Sequence, residues 1–299
     1  MQIIRPESVT ESRFTASDVP IDDYPQWGVA GNYDEGARVI DGIEAYESLV
    51  SGNNDTIEDG LAASPPTWLR LGFVNRWRMF RDGRDSKTRQ DGGIATTVTP
   101  GQVVNGLALL GLEGLEVTVT MTDPVEGVVY QRMESITDIG VGNWYDWYFM
   151  PYDVREDFVF TDLPPYSGAA IDVAITTADP ADTSAVGRFV MGMVRDLGIT
   201  VYGTSVRTQD FSVRERDGFG NLRIVNRRKI PLADYRVSID TRRVDGVKRE
   251  LDQIANDETV FIGNEDMVRS TIVFGFYRDF DITISNYAIS DATLEVEGY

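Results

Sequence analysis

Apolar and polar residues alternate through much of this chain, and the three-to-four-residue spacing of amphipathic helices is scarce. Leu115–Asp123 (LEVTVTMTD) alternates along its whole length, as do Ile171–Asp179, Tyr235–Arg243, Phe280–Ser290 and Ala292–Tyr299. Successive side chains of a strand point to opposite faces, so each segment is expected to bury one face in a core and turn the other to solvent. Turn signals separate the segments: Asp82-Gly83, Asp123-Pro124, Pro164-Pro165, Asp179-Pro180, Asp217-Gly218 and Asp245-Gly246. The pattern predicts an all-β fold, mainly antiparallel β-sandwich domains with one or two short helices. One helix is expected over Asp245–Asp257, where Val247, Leu251 and Ile254 share a face. A second is expected in Ala63–Gly72 (ASPPTWLRLG), where Pro66 suits a first turn.

Punctuation divides the chain. Residues 1–23 read as a polar N-terminal arm, or a first strand laid against a neighbour. Residues 24–80 read as a small β module rich in Gly, Tyr and Trp, and 81–93 as a charged, flexible connector. Residues 94–197 follow as a β-sandwich domain, and 198–299 as a second β-rich domain with its helix near 246–256. Whether 94–299 forms one domain or two stays open at this level.

Composition narrows the chemistry. The 299 residues are 42% hydrophobic, enough to fill a sizeable core. No run approaches the length of a membrane-spanning helix, and the start, MQIIRPESVTESRF, lacks the basic-then-apolar pattern of a signal peptide. No Cys and no His occur. Disulfides, thiolate nucleophiles, imidazole bases and the usual zinc sites are therefore excluded. Carboxylate chemistry and calcium remain open in principle. However, no carboxylate pair has a marking spacing, and Gly52–Gly60 (GNNDTIEDG) lacks the alternating acids of a calcium loop. No catalytic residue, metal or cofactor is assigned, and no enzymatic activity is expected.

The net charge of −20 disfavours nucleic acid as a partner. Its distribution is uneven: residues 70–89 carry 7 basic and 2 acidic side chains, and residues 207–249 carry 12 and 6. These two blocks predict that basic patches of one subunit meet acidic patches of another, with Arg223, Arg227, Arg228 and Lys229 in the contact. Gly218–Asn221 (GFGN) within the second block reads as a hairpin turn, since no Lys-Ser/Thr follows it as in a phosphate loop.

Aromatic residues form two groups. Trp27, Tyr33, Tyr46 and Trp68 fall inside the small module, with Trp77 just beyond. Flat rings of this kind stack on sugar faces, which makes the first four candidate carbohydrate-binding residues; the same rings equally suit the core of a small unit. Gly142–Asp153 (GNWYDWYFMPYD) packs six aromatics into one window, more than one strand face needs. Trp144, Tyr145, Trp147, Tyr148 and Tyr152 are accordingly expected at a subunit interface.

The order Tyr33, Gly36, Val39, Ile43, Tyr46, Ser48, Leu49, closed by Trp68, resembles a small chitin- or cellulose-binding module. Gly72–Gly83 (GFVNRWRMFRDG), together with the ending from Thr259 to Tyr299, resembles tail or minor structural proteins of tailed bacteriophages. That resemblance implies a virion (tail) location after synthesis in the host cytoplasm, a role in assembly without catalysis, and other tail subunits as partners, in homo- and hetero-oligomers. The module's resemblance implies an alternative, a receptor or adhesin recognising host surface glycans. Membrane insertion is not expected.

Overall fold

The computed structural model describes residues 1–298 other than 82, 139–144, 146–152, 217, 256 and 265–267. The fold is all-β, with antiparallel pairing throughout its named sheets. A ten-stranded sheet forms the backbone of the molecule. Its central order is Phe158–Phe160, Gly106–Leu110, Arg188–Asp196, Gln2–Pro6, Thr259–Asn264, Val268–Thr283, Ile289–Gly298 and Lys229–Asp240. Ile199–Thr200 and Ser205–Asp210 both pair with the last of these. A five-stranded sheet, Gly127–Ser135, Glu116–Asp123, Ala170–Thr176, Ile94–Val98 and Phe14–Ser17, packs on one half of it. Val117, Val119, Met121, Ile171, Val173 and Ile175 point inward from that sheet and meet Leu107, Leu109, Phe158, Phe160 and Phe189 of the long sheet. The alternation seen in Glu116–Asp123 and Ala170–Thr176 is thus the alternation between this core and the outer face.

Residues 1–23 are not an arm. Gln2–Pro6 is a central strand, bonded to Arg188–Asp196 on one side and to Thr259–Asn264 on the other. Ile3 and Ile4 are both fully buried, one on each face of the sheet. Val9 and Val19 are buried in the main core with the five-stranded sheet. The segment looks polar because two consecutive isoleucines serve two different cores, leaving no alternation to read. The same strand unites the two regions expected at 94–197 and 198–299: one sheet runs through both.

The expected connector is also structured. Thr88–Asp91 pairs with Thr183–Val186, and the basic side chains around it are neutralised within the chain. Arg84 pairs with Asp157 at 2.9 Å, Lys87 with Glu113 at 2.7 Å, Arg78 with Asp23 at 3.7 Å and Arg70 with Glu44 at 2.5 Å. The first basic block therefore finds its acids inside its own fold, contrary to the expectation that it meets another subunit. Those acids lie far away in sequence and are brought alongside by sheet pairing.

Three α-helices occur among the described residues: α1 (Ile57–Ala62), α2 (Asn75–Arg81) and α3 (Val244–Gln253). The helix expected at Ala63–Gly72 is absent. Helix α1 precedes that segment, capped by the Thr56 hydroxyl accepting from the Asp59 N–H, and Trp68–Phe73 is a strand. Helix α2 carries the NRWRMF motif and buries Trp77, Met79 and Phe80. Arg81 donates to the Val9 carbonyl at 2.9 Å and Arg76 to that of Val19, which ties the N-terminal segment down. Helix α3 lies where the 3.6-residue pattern places it. Val247 and Leu251, with Ile254 just beyond, pack on Tyr235, Val237 and Leu294, each burial contributing roughly 1.5–3 kcal/mol. Tyr277 fixes the end of this helix by donating to the Leu251 carbonyl at 3.0 Å.

Candidate interaction surface

The small module folds as a three-stranded sheet of Arg38–Asp41, Glu44–Ser48 and Trp68–Phe73, with α1 packed against it. Its core is Val39, Tyr46, Ile57 and Trp68, with Trp27 and Tyr33 half-buried against them. Trp68 is 1% exposed and donates its indole N–H to the Asp55 carbonyl at 3.1 Å. Tyr46 is buried and donates to Glu44 at 2.7 Å. Burial and that carboxylate push its hydroxyl up to about 12. Glu44 in turn accepts two bonds from Arg70, at 2.8 and 2.5 Å, which hold its carboxyl below its ordinary value. The Tyr33 and Trp68 rings meet edge to face, at 5.4 Å and 66°. Trp27 turns its indole N–H inward, where no acceptor among the described residues reaches it.

A sugar platform needs coplanar, exposed rings. Tyr46 and Trp68 are instead buried in a small core, with Tyr33 edge-on to Trp68 and Trp27 and Tyr33 half-buried against it, because this unit fills its interior with aromatics. The carbohydrate-binding expectation for these four residues is corrected accordingly. Gly52–Gly60 is likewise structural. Asn53 is buried, donating to Ser48 Oγ and the Thr67 carbonyl at 3.0 Å each, and Asp55 accepts from Thr67 at 2.9 Å.

Of the second aromatic group, Trp144, Trp147, Tyr148 and Tyr152 lie outside the described residues. Tyr145 is exposed.

The strongest candidate surface is elsewhere. Ser205–Asp210 pairs with the first half of Lys229–Asp240, and the two strands continue outward as Val213–Arg216 paired with Leu222–Val225. Gly218–Asn221 lies between the two outer strands, and Gly220 takes a φ of 87°, a left-handed turn conformation that glycine adopts without strain. The hairpin turn read from GFGN is thus in place. The result is a long arm in which nearly every described residue between Val201 and Lys229 is exposed.

The arm is both cationic and apolar. It carries seven basic and three acidic side chains between Val201 and Lys229, in a chain of net charge −20. Phe211, Leu222, Ile224 and Val225 are exposed alongside them. Cross-strand pairs set Arg214 opposite Ile224 and Arg216 opposite Leu222 on one face. The other face carries Val213 opposite Val225 and Glu215 opposite Arg223. Neither face turns toward a core of this chain. Arg228 reaches back to Asp85 at 3.1 Å, and Arg214 pairs with Asp210 at 3.3 Å. Among the described residues no carboxylate forms an ion pair with Arg223, Arg227 or Lys229. The sequence reading singled out Arg223, Arg227, Arg228 and Lys229 and missed the apolar half of the surface. The signal was present: V-R-E-R and L-R-I-V flank the turn with apolar and charged residues on both faces, a pattern no half-buried strand has.

An isolated two-stranded hairpin is marginally stable in water, and contiguous exposed apolar residues in a soluble chain mark contact surfaces. No family model matches the chain, and no curated protein or solved structure matches it significantly.

Proposed function

We propose that this chain is a non-enzymatic structural component of a bacteriophage tail, in the tip, baseplate or fibre-attachment region, acting through subunit assembly. The observation that carries the reading is the projecting arm of residues 201–229. Its aliphatic and aromatic side chains stand in water among arginines, the composition of an interface core with a charged rim. A partner surface orders such a hairpin and removes its apolar residues from solvent. Complementary charge then fixes the register and speeds association. The rigid ten-stranded sheet behind it, stapled through Gln2–Pro6, gives the arm a fixed platform. The tail assignment itself rests on the sequence resemblance of Gly72–Gly83 and the Thr259–Tyr299 ending, and its expected location is the virion.

Immunogold labelling tests the assignment. An antibody against the chain is applied to purified tailed particles from cells carrying its gene. Gold on the tail supports the reading. A chain that stays in the soluble lysate and is missing from the particles overturns it.

A further inference from the structure

The arm leaves one question open, the identity of the surface that receives it. On the solvent-facing side of the long sheet, opposite α3, Asp234 stands directly across from Glu295, and Glu295 directly across from Asp279. Three carboxylates thus form one row over three adjacent strands. Asp281 and Asp291 lie on the same face, one and two rows further along. Like charges directly opposite each other destabilise a sheet. Asp234 is relieved in part by Arg207 at 3.4 Å and Ser205 at 3.1 Å. Among the described residues no cation forms an ion pair with Glu295 or Asp279. The row does not converge on a point, and no metal-holding group of three such side chains occurs among the described residues. A row of fixed anions spread along a flat face calls for an extended cationic partner. Exposed Phe276, opposite Glu297, lies one row away on the same face.

Beyond Arg207, which already reaches Asp234, the outer hairpin of the same molecule does not serve. Ser205–Asp210 pairs with the strand that carries Asp234, so the ladder that holds the arm also carries it away along the strand direction. Arg223 lies eleven residues before Asp234 in sequence, an extended separation on the order of 35 Å. A second copy has no such constraint. We infer that the arm of one copy, through the hairpin face that carries Arg214 and Arg216 with Leu222 and Ile224, docks on the Asp234–Glu295–Asp279 row of another copy of this chain. The inference rests on the assembly reading above and names its partner. Arm and row are different patches, so the contact closes either reciprocally in a pair or successively in a ring.

Charge reversal tests it. The full chain is prepared as wild type, as an arm variant (Arg214→Glu with Arg216→Glu) and as a row variant (Asp279→Lys with Glu295→Lys), all surface positions that leave the cores intact. Sedimentation velocity at low salt reads the mass. The wild type is expected to self-associate, with roughly tenfold weakening between low and physiological salt. Each variant alone is expected to stay monomeric. Mixing the two variants in equal amounts is expected to restore association, since each reversed patch then meets a complementary one. A wild type that remains monomeric at high concentration, or an arm variant that associates as the wild type does, overturns the inference. Incorporation of the arm variant into particles separates the two readings. A monomeric wild type whose arm variant is nevertheless lost from particles removes the second copy as partner and leaves the assembly reading standing. A wild type that associates as expected but is missing from particles removes the tail assignment alone.

Discussion

Replacing Ile4 with alanine is expected to destabilise the whole chain by about 4 kcal/mol. Ile4 is 0% exposed and lies in a cluster with Ala108, Leu110, Val190, Val260 and Phe274, drawn from both sides of its strand. Truncation removes three carbons, a transfer loss of roughly 2.5 kcal/mol at about 0.8 kcal/mol per carbon. The hole left behind adds about 1.5 kcal/mol, because the neighbours have little to move into it. Gly106 and Gly192 also lie against it. A methyl on Gly106 would sit 3.2 Å from the Ile4 δ-carbon, and one on Gly192 would sit 3.4 Å from its γ2-carbon, so this side chain fills the space those glycines leave. Equilibrium urea unfolding, followed by tryptophan fluorescence and far-UV circular dichroism, reads the change. Since Gln2–Pro6 is bonded to strands of both halves, both probes are expected to shift together. Val128→Ala, at an exposed position, is the control and is expected to change stability by less than about 0.5 kcal/mol. A loss below about 1 kcal/mol for Ile4→Ala, or an effect confined to one probe, would refute the role of this strand as the joint between the halves.

The remaining predictions concern the small module. Trp68→Phe is expected to cost about 2 kcal/mol or more, since it removes both ring volume and the bond to the Asp55 carbonyl. Trp27→Phe deletes an indole N–H that meets no acceptor among the described residues, so it is expected to stay within about 1 kcal/mol of the wild type in the same unfolding assay. Glu44→Gln is expected to lower the melting temperature at neutral pH. The Glu44 carboxyl is held below its ordinary value first by Arg70, so its contribution is present above that ordinary value and is lost as pH falls through the lowered one. The gap between Glu44→Gln and the wild type should therefore close on acidification, and a gap that widens below pH ~4 would contradict the pairing. In an alkaline absorbance titration Tyr46 is expected to ionise only near pH 12, and Tyr46→Phe should reduce the amplitude of that late step, which Tyr130 shares.

The sheets and α3 were legible because their residues serve one core each. Glu116–Asp123 and Ala170–Thr176 alternate, and Val247, Leu251 and Ile254 recur at helical spacing. What escaped the sequence are the elements that serve two masters or none. Gln2–Pro6 buries both faces with only two isoleucines, so its pattern resembles that of a polar tail. Helix α2 is a seven-residue turn of chain defined by tertiary burial of Trp77, Met79 and Phe80, too short to declare a period. The basic residues of 70–89 looked available for a partner because their acids, Glu44, Glu113 and Asp157, are brought near only by folding. The aromatic quartet shares its composition with a sugar platform, and the burial of Tyr46 and Trp68, with the edge-on packing of Tyr33 on Trp68, separates the two arrangements. In the arm the sequence carried the decisive information: charge and apolarity on both faces of one hairpin signal a surface completed by something else.

The most direct test of that claim is the rate of tryptic cleavage inside the arm, compared between the dilute isolated chain and purified tailed particles and read by mass spectrometry. Arg214, Arg216, Arg223 and Arg227 are exposed cleavage points in the free chain, which is expected to be cut there first. In particles, peptides spanning 201–229 are expected to survive intact. Cleavage at the same rate in both states would contradict an arm that works by being covered.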